Sequence, residues 1–274
     1  NMQCMNDFSA DYFREQMSDE YCVQFSQAEI SEHVKMINSL SGNKTVALSI
    51  VQGKSKMFTV TVTAVDYFSA LSTITGVLTS FGFNIQDATA YTIDPKKKTP
   101  RNEVQNNKKY IIDVFIARYE GKSAIDEKFL EGIENGLTFL FQLLEESKFY
   151  EVRMSVNRWL AEGLSKITHI PLDLTAKIEV NFDNTLSEYW TVMNVHSKNS
   201  FAFLYAMSNA LSLRGIYIYG IKTSSVGDDI HDTFLISDRR GYKLEDEHKQ
   251  QTVRNAAVLI KRFTQYLPLS LIHI

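Results

Sequence analysis

The sequence predicts an α+β fold made of two copies of one unit, and three observations predict it. An ungapped repeat relates residues at an offset of 133, as in Phe68 to Phe201, Leu71 to Leu204, Leu78 to Leu211 and Gly82 to Gly215. Both copies then alternate the strand period of two with the helix period of 3.6 in the same order. A glycine, Gly82 or Gly215, stops the first helix of each copy where a left-handed C-cap is needed.

The elements follow in chain order. Ser26-Gln-Ala-Glu29 is a capping box that opens a helix with Ile30, Val34 and Ile37 on one face. Phe58, Val60, Val62 and Ala64 alternate with Thr59, Thr61 and Thr63, which predicts a half-buried strand. Leu71, Ile74, Leu78 and Phe81 form one helical stripe, strands follow at 83–91 and 110–119, and Phe129, Ile133, Leu137, Leu140 and Leu144 stripe a closing helix. A linking helix is expected over 149–164, ended before Pro171, and one further strand over 174–182, which the pattern assigns to neither sheet. In the second copy Met193 and Val195 mark the strand, Leu204, Met207 and Leu211 the helix, 216–224 and 230–237 the next strands. Val253, Ala256, Ile260, Phe263 and Leu267 stripe the last helix.

Strand, helix, strand, strand, helix with one more strand is a split βαβ arrangement (βαββαβ), an antiparallel sheet with helices on one face. Such a sheet leaves unpaired edges, and joining two units side by side satisfies them. Copy one carries 14 residues that copy two lacks, within PKKKTPRNEVQNNKK. This basic insertion, 95–109, reads as a solvated hairpin extension, with contact to an acidic partner as the sharper alternative.

Composition narrows function. A chain of 274 residues with 44% hydrophobic content buries substantial cores, and no apolar run reaches the length of a membrane span. A net charge of -3 removes the broad basic footprint of nucleic-acid binders. Cys4 and Cys22 are the only cysteines, so no disulfide framework or cysteine zinc site is expected, and the N-terminus lacks a secretory leader pattern. A cytoplasmic protein is expected, and the Asn1 that precedes Met2 reads as a cloning remnant.

No phosphate loop, dinucleotide fingerprint, zinc-protease helix or nucleophile elbow occurs. The six histidines are scattered, and in His231-Asp232 neighbouring strand residues point to opposite faces, so they cannot share a metal. No catalytic residue, metal or cofactor is expected. Gly132 and Gly136 read as positions of close helix packing.

The stretch VNFDNTLSEYWTVMNVHSKNSFAFLYAMSNALSLRGIYIYGIKTSSVGDDIHDTFLISDRRGYKL resembles the last ACT domain of the bacterial protein-PII uridylyltransferases. VDYFSALSTITGVLTSFGFNI with IIDVF resembles the ACT domain before it, and FSQAEISEHV the helical segment before the pair. The resemblance implies two ferredoxin-like ACT domains, at 51–150 and 173–274, after a helical segment at 1–50 and joined by a linker at 151–172. It also implies amino-acid sensing, with glutamine as the first candidate, at a site between paired units. The family's strand-to-helix turn reads Asp-Arg-Pro-Gly-Leu-Leu; here it reads Asp66-Tyr67-Phe68-Ser69-Ala70-Leu71 and Asn199-Ser200-Phe201-Ala202-Phe203-Leu204. The ligand-binding residues so implied are Asp66, Tyr67, Ser69, Ala70 and Asn84 in copy one, and Asn199, Ser200, Ala202 and Phe203 in copy two. Copy one is the better candidate, through Asp66 and Asn84.

An enzyme of the uridylyltransferase type needs a Gly-Ser turn in its nucleotidyltransferase site, and no Gly-Ser pair occurs. The expectation is a non-enzymatic regulatory module linked to nitrogen metabolism. Its expected partners are a free amino acid and a protein or second copy of the chain, with neither nucleic acid nor membrane. The rival is a ligand-free scaffold of the same fold, which would show its cleft plugged by Phe68, Phe201 and Phe203.

Overall fold

The computed structural model describes residues 9–41, 44–93, 108–167, 177–226 and 229–270. Most of the basic insertion, including Lys96, Lys97, Lys98 and Arg101, lies outside them. The helices are α1 (Ala10–Gln16), α2 (Asp19–Gln24), α3 (Gln27–Asn38), α4 (Ala70–Ser80), α5 (Glu127–Glu145), α6 (Phe149–Leu164), α7 (Phe203–Leu213) and α8 (Glu247–Ser270). The strands are β1 (Val46–Gln52), β2 (Met57–Val65), β3 (Phe83–Ile93), β4 (Tyr110–Tyr119), β5 (Ile178–Asp183), β6 (Thr191–Lys198), β7 (Ile216–Val226) and β8 (Asp229–Asp238).

The fold is α+β, with a single antiparallel sheet of eight strands in the order β1-β2-β4-β3-β7-β8-β6-β5. Each half runs strand, strand, helix, strand, strand, helix, so the edge strand precedes the unit and does not follow it. β1 falls across the end of the expected helical segment. Its short apolar run Val46-Ala47-Leu48-Ser49-Ile50-Val51 turns straight back into β2 through Ser55 and Lys56, both at positive φ (53° and 61°), as a tight hairpin requires. The strand expected over 174–182 appears as β5 on the outer edge of the second half, which answers which sheet it joins; 168–176 lie outside the described residues.

The halves meet where β3 pairs with β7, and Thr89 stands opposite Lys222, its counterpart 133 residues later. An antiparallel pair centred on equivalent residues is a local two-fold relation. α4, α5, α7 and α8 pack on one face of the sheet in one continuous core, with Ile74, Leu78, Phe115, Phe141, Met193 and Phe234 fully or almost fully buried. α6 contributes Val152 and Val156 to the same core. Gly76 of α4 makes this crossing possible, because a Cβ there would meet Val156 Cγ1 at 2.4 Å and Tyr205 Cε2 at 2.8 Å.

On the other face α1, α2 and α3 pack on the first half, with Glu20 of α2 reaching Lys222 of β7. Phe13, Tyr21, Phe25 and Ile37 pack there against Ala47, Val65, Ile93 and Ile112. The Ser26 capping box opens α3 as expected, its Oγ accepting from Glu29 N at 3.3 Å while Ser26 N donates to Glu29 Oε2 at 2.8 Å. This cover corrects the reading of β2 as half-buried: Thr63 is fully buried and Thr61 9% exposed. The stripe of α8 holds at Val253, Ala256, Ile260 and Leu267 and is corrected at Phe263. Phe263 is 60% exposed, and Val253, Ala257, Lys261 and Thr264 face inward. Among the described residues no helix is long and apolar enough to cross a membrane.

Candidate functional site

The sequence makes the two strand-to-helix turns alike, and the backbone makes them unusual. Ser69 (φ 71°, ψ 10°) and Ala202 (φ 63°, ψ 7°), 133 residues apart, are the N-caps of α4 and α7, both left-handed and neither with a side-chain cap. A residue with a Cβ in this conformation costs about 1–2 kcal/mol. Thus each turn holds, on a residue with a Cβ, a conformation that glycine favours. In the first turn the Ser69 carbonyl accepts from Thr73 N at 3.0 Å and from the Ser72 and Thr73 hydroxyls at 2.9 Å each, which pins the strained residue.

Pairing β3 with β7 points the first turn at the other half. Asp66, Tyr67, Ser69 and Ala70 line a cavity of about 20 Å³, closed from the opposite side by Ile216 and Tyr217 at the start of β7. The Tyr217 phenol donates to Asp66 Oδ2. Burial first, then the negative charge of Asp66 and that bond, push the phenol's pKa far up. Asp113 on β4 lines the same cavity, 1% exposed, with Oδ2 lacking a hydrogen-bond partner. Burial, then the charge of Asp66, hold its carboxyl well above the usual range. Ser69 Oγ is likewise buried without a partner. The first turn of α4 brings the positive end of its dipole to the same space. The Asp66 carboxylate, the buried Asp113 carboxyl and the Ser69 hydroxyl there form a small polar chamber suited to N–H donors.

The second turn is built differently. Asn199 Nδ2 donates to Gln86 Oε1 at 3.0 Å and to Ile85 O at 3.4 Å, so it too reaches the opposite half. Beside it the ammonium of Lys261, 2% exposed, donates to Lys198 O and to Ser200 Oγ (3.2 Å) and lies 5.2 Å from the Phe203 ring centre. Ser200 Oγ also sits 2.9 Å from Thr264 Oγ1. Asp232, the counterpart of Asp113, is 3% exposed with its carboxyl pushed up to about 6, by burial first and by Asp87, against a Thr223 hydrogen bond and Lys261.

The nine expected ligand residues therefore divide. Asp66, Tyr67, Ser69 and Ala70 come together at the chamber, and Asn84 is not among its lining. Asn84, at the start of β3, is the counterpart of Tyr217, and Asn199 bonds to its neighbours. Each turn thus faces the strand of the other copy, so Asp66 meets Tyr217, and the pairing of Asp66 with Asn84 in copy one is corrected. Ser200 touches Lys261 and Thr264, while Ala202 and Phe203 are core residues at 8% and 2% exposure. Phe68 packs edge-on against Phe149 at 5.4 Å with the Arg239 guanidinium 4.3 Å from its ring centre, and Phe201 is buried beside Leu164 and Leu267. Tyr217, not a phenylalanine, closes the first chamber.

Sequence reasoning missed Asp113 and Tyr217 as lining residues. Their signal was available: Asp113 recurs as Asp232, and Tyr217 stands where copy one has Asn84. His231-Asp232 behaves as a strand dipeptide, with His231 exposed and stacked on His196 at 4.2 Å while Asp232 is buried. No group of three metal-ligating side chains occurs among the described residues.

No family model matches the chain. It is 25% identical over 189 residues to a bifunctional uridylyltransferase/uridylyl-removing enzyme of Ruegeria pomeroyi, which covers 69% of this chain and 18% of that protein. The enzyme of the same description from Rhodospirillum rubrum is 22% identical over 250 residues, 90% of this chain and 24% of the relative. In Erythrobacter litoralis the identity is 31% over 77 residues, 28% of this chain and 8% of the relative. The chain thus spans a quarter or less of the length of these curated relatives. Over most of its own length, the chain resembles the C-terminal part of the bacterial protein-PII uridylyltransferases.

Proposed function

We propose that this chain is a regulatory module of two ACT-type units that senses an amino acid, glutamine first, in nitrogen signalling, and performs no catalysis of its own. The observation that carries this reading is the convergence of Asp66, Asp113 and Ser69 on one chamber at the junction of the halves, with Asp113 Oδ2 and Ser69 Oγ buried and unpartnered. Two carboxyl groups beside a helix N-terminus match the ammonium and carboxylate of an amino acid. The relatives' description as uridylyltransferase/uridylyl-removing enzymes supports the link to nitrogen signalling.

A chamber of about 20 Å³ holds roughly one water. An amino acid enters only when the Tyr217 ring leaves Asp66, so its ammonium replaces the phenol as donor. That exchange couples occupancy to the contact between the halves, which is the event a sensor must transmit. The test is a thermal-unfolding screen of the purified chain against the twenty amino acids, since a ligand of the native state raises the midpoint. A rise with glutamine or another amino acid, lost in Asp66→Ala, supports sensing; no rise at millimolar concentration overturns it.

One observation favours the scaffold reading. The second turn already holds its own cation, Lys261, on Ser200 and Lys198, as an internal substitute for a ligand's ammonium. A flat amino-acid screen on a stable protein is the result the scaffold predicts.

A further inference from the structure

A second and larger cavity, about 330 Å³, opens at the other end of α4. Its walls are aromatic: Phe81, Phe129 and Trp159 line it, with Phe81 and Phe129 edge to face at 5.4 Å. Behind them Tyr119 is fixed by its hydroxyl, which donates to Ser123 O at 3.0 Å. Two exposed lysines, Lys122 and Lys166, complete the lining, and neither is in an ion pair among the described residues. Glu162 is the one acid of that lining.

The floor is α5 at Gly132 and Gly136, one turn apart. At Gly163 of α6 packing demands glycine, because a Cβ there would lie 1.9 Å from Ser80 O. Gly132 and Gly136 differ. A Cβ at Gly132 would sit 3.4 Å from Phe81 Cε1, and at Gly136 3.4 Å from Trp159 Cζ3, both ordinary contacts with rings. This corrects their reading as sites of close helix packing. Alanine fits at both and is the better helix former, so the glycines cost the helix stability that packing does not require. What they leave open is the cavity.

We propose that this cavity binds a small aromatic carboxylate, its ring between Phe81 and Trp159 above the glycine floor and its carboxylate toward Lys122 and Lys166. The volume is that of a small-molecule pocket, and apolar walls with a few charged groups are what such ligands require; an antiparallel bridge between Gly121 and Ile167 brings the segments carrying Lys122 and Lys166 together. Aromatic walls reward a flat aromatic body, and two ammonium groups reward a negative end. The site is independent of the chamber at Asp66, since α4's eleven residues separate the two, so either can fail alone.

Trp159 reports on it directly. The other tryptophan, Trp190, stacks on Tyr219 at 4.2 Å and is not part of the lining, so Trp190→Phe leaves a single reporter. Titrating that variant with hydrocinnamate is expected to change Trp159 emission saturably, with the neutral hydrocinnamide at least about tenfold weaker. Gly132→Ala with Gly136→Ala is expected to raise the thermal midpoint while weakening hydrocinnamate at least about tenfold. Lys122→Gln with Lys166→Gln is expected to weaken the acid and leave the amide unchanged. The proposal is overturned by no saturable change at millimolar acid, by equal binding of acid and amide, or by alanine variants that lower the midpoint.

Discussion

Thr75 Oγ1 lies 3.4 Å from Ser208 Oγ, its own counterpart 133 residues later. The two hydroxyls sit where α4 crosses α7, both buried and both also donating to carbonyls one turn back, Leu71 O and Leu204 O. Together with Thr89 opposite Lys222, this contact shows the halves joined through equivalent residues in both layers, sheet and helix. Small side chains are required at such a crossing. Ser208→Leu is expected to overpack it and cost about 1–3 kcal/mol in urea unfolding, whereas Leu213→Ser at an exposed position of the same helix is expected to stay within about 0.5 kcal/mol.

The two left-handed turn residues make a paired prediction. Ser69→Gly and Ala202→Gly each remove a Cβ from positive φ, against the added freedom of glycine in the unfolded chain. Each is expected to stabilise the protein by about 1 kcal/mol, or raise the thermal midpoint by about 2 °C. Calorimetry of the single variants checks it, and loss of stability in either would show that the turn is not strained.

Asp232 sets a pH dependence. Its carboxyl titrates at about 6 in the fold, against about 3.9 when unfolded. Below pH 4 both states are protonated and the group costs nothing. Between about pH 4 and 6 the folded state keeps a proton that the unfolded state releases, so stability falls as pH rises and stays low above 6. Asp232→Asn is expected to flatten this limb and to be more stable than the parent at pH 7 by up to about 3 kcal/mol. Urea midpoints at pH 4.5 and pH 7, compared between the two proteins, read the difference.

Tyr217→Phe separates the two roles of the phenol. Losing its hydrogen bond to Asp66 is expected to lower stability by about 1.5–3 kcal/mol. The same loss removes the phenol's competition for Asp66 Oδ2, so the thermal shift given by a sensed amino acid is expected to grow. A variant whose amino-acid response shrinks would mean that the phenol belongs to the binding surface and not to its closure.

Gly163 provides the control for the glycine argument. Its Cβ position lies against the Ser80 carbonyl, where backbone cannot move aside. Gly163→Ala is expected to destabilise by about 3 kcal/mol, opposite in sign to alanine at Gly132 or Gly136. Thermal unfolding of the three alanine variants side by side gives the comparison.

The repeat at 133, the stripes of α4 and α5 and the glycine stops were legible in the chain because they are local: periodicity and turn chemistry act over a few residues. So were the α+β class and the turns that carry Asp66 and Asn199. Only tertiary structure decided which turn faces which strand, because pairing β3 with β7 crosses the copies and brings Asp66 to Tyr217. It also decided that α1, α2 and α3 bury the threonine face of β2, which alternation alone assigned to solvent. The inward face of α8 slipped from Phe263 to Lys261 and Thr264 for the same reason: a helix with apolar residues on more than one side takes the face its neighbours leave open. Local patterns state what each segment is, and long-range packing states what each segment touches.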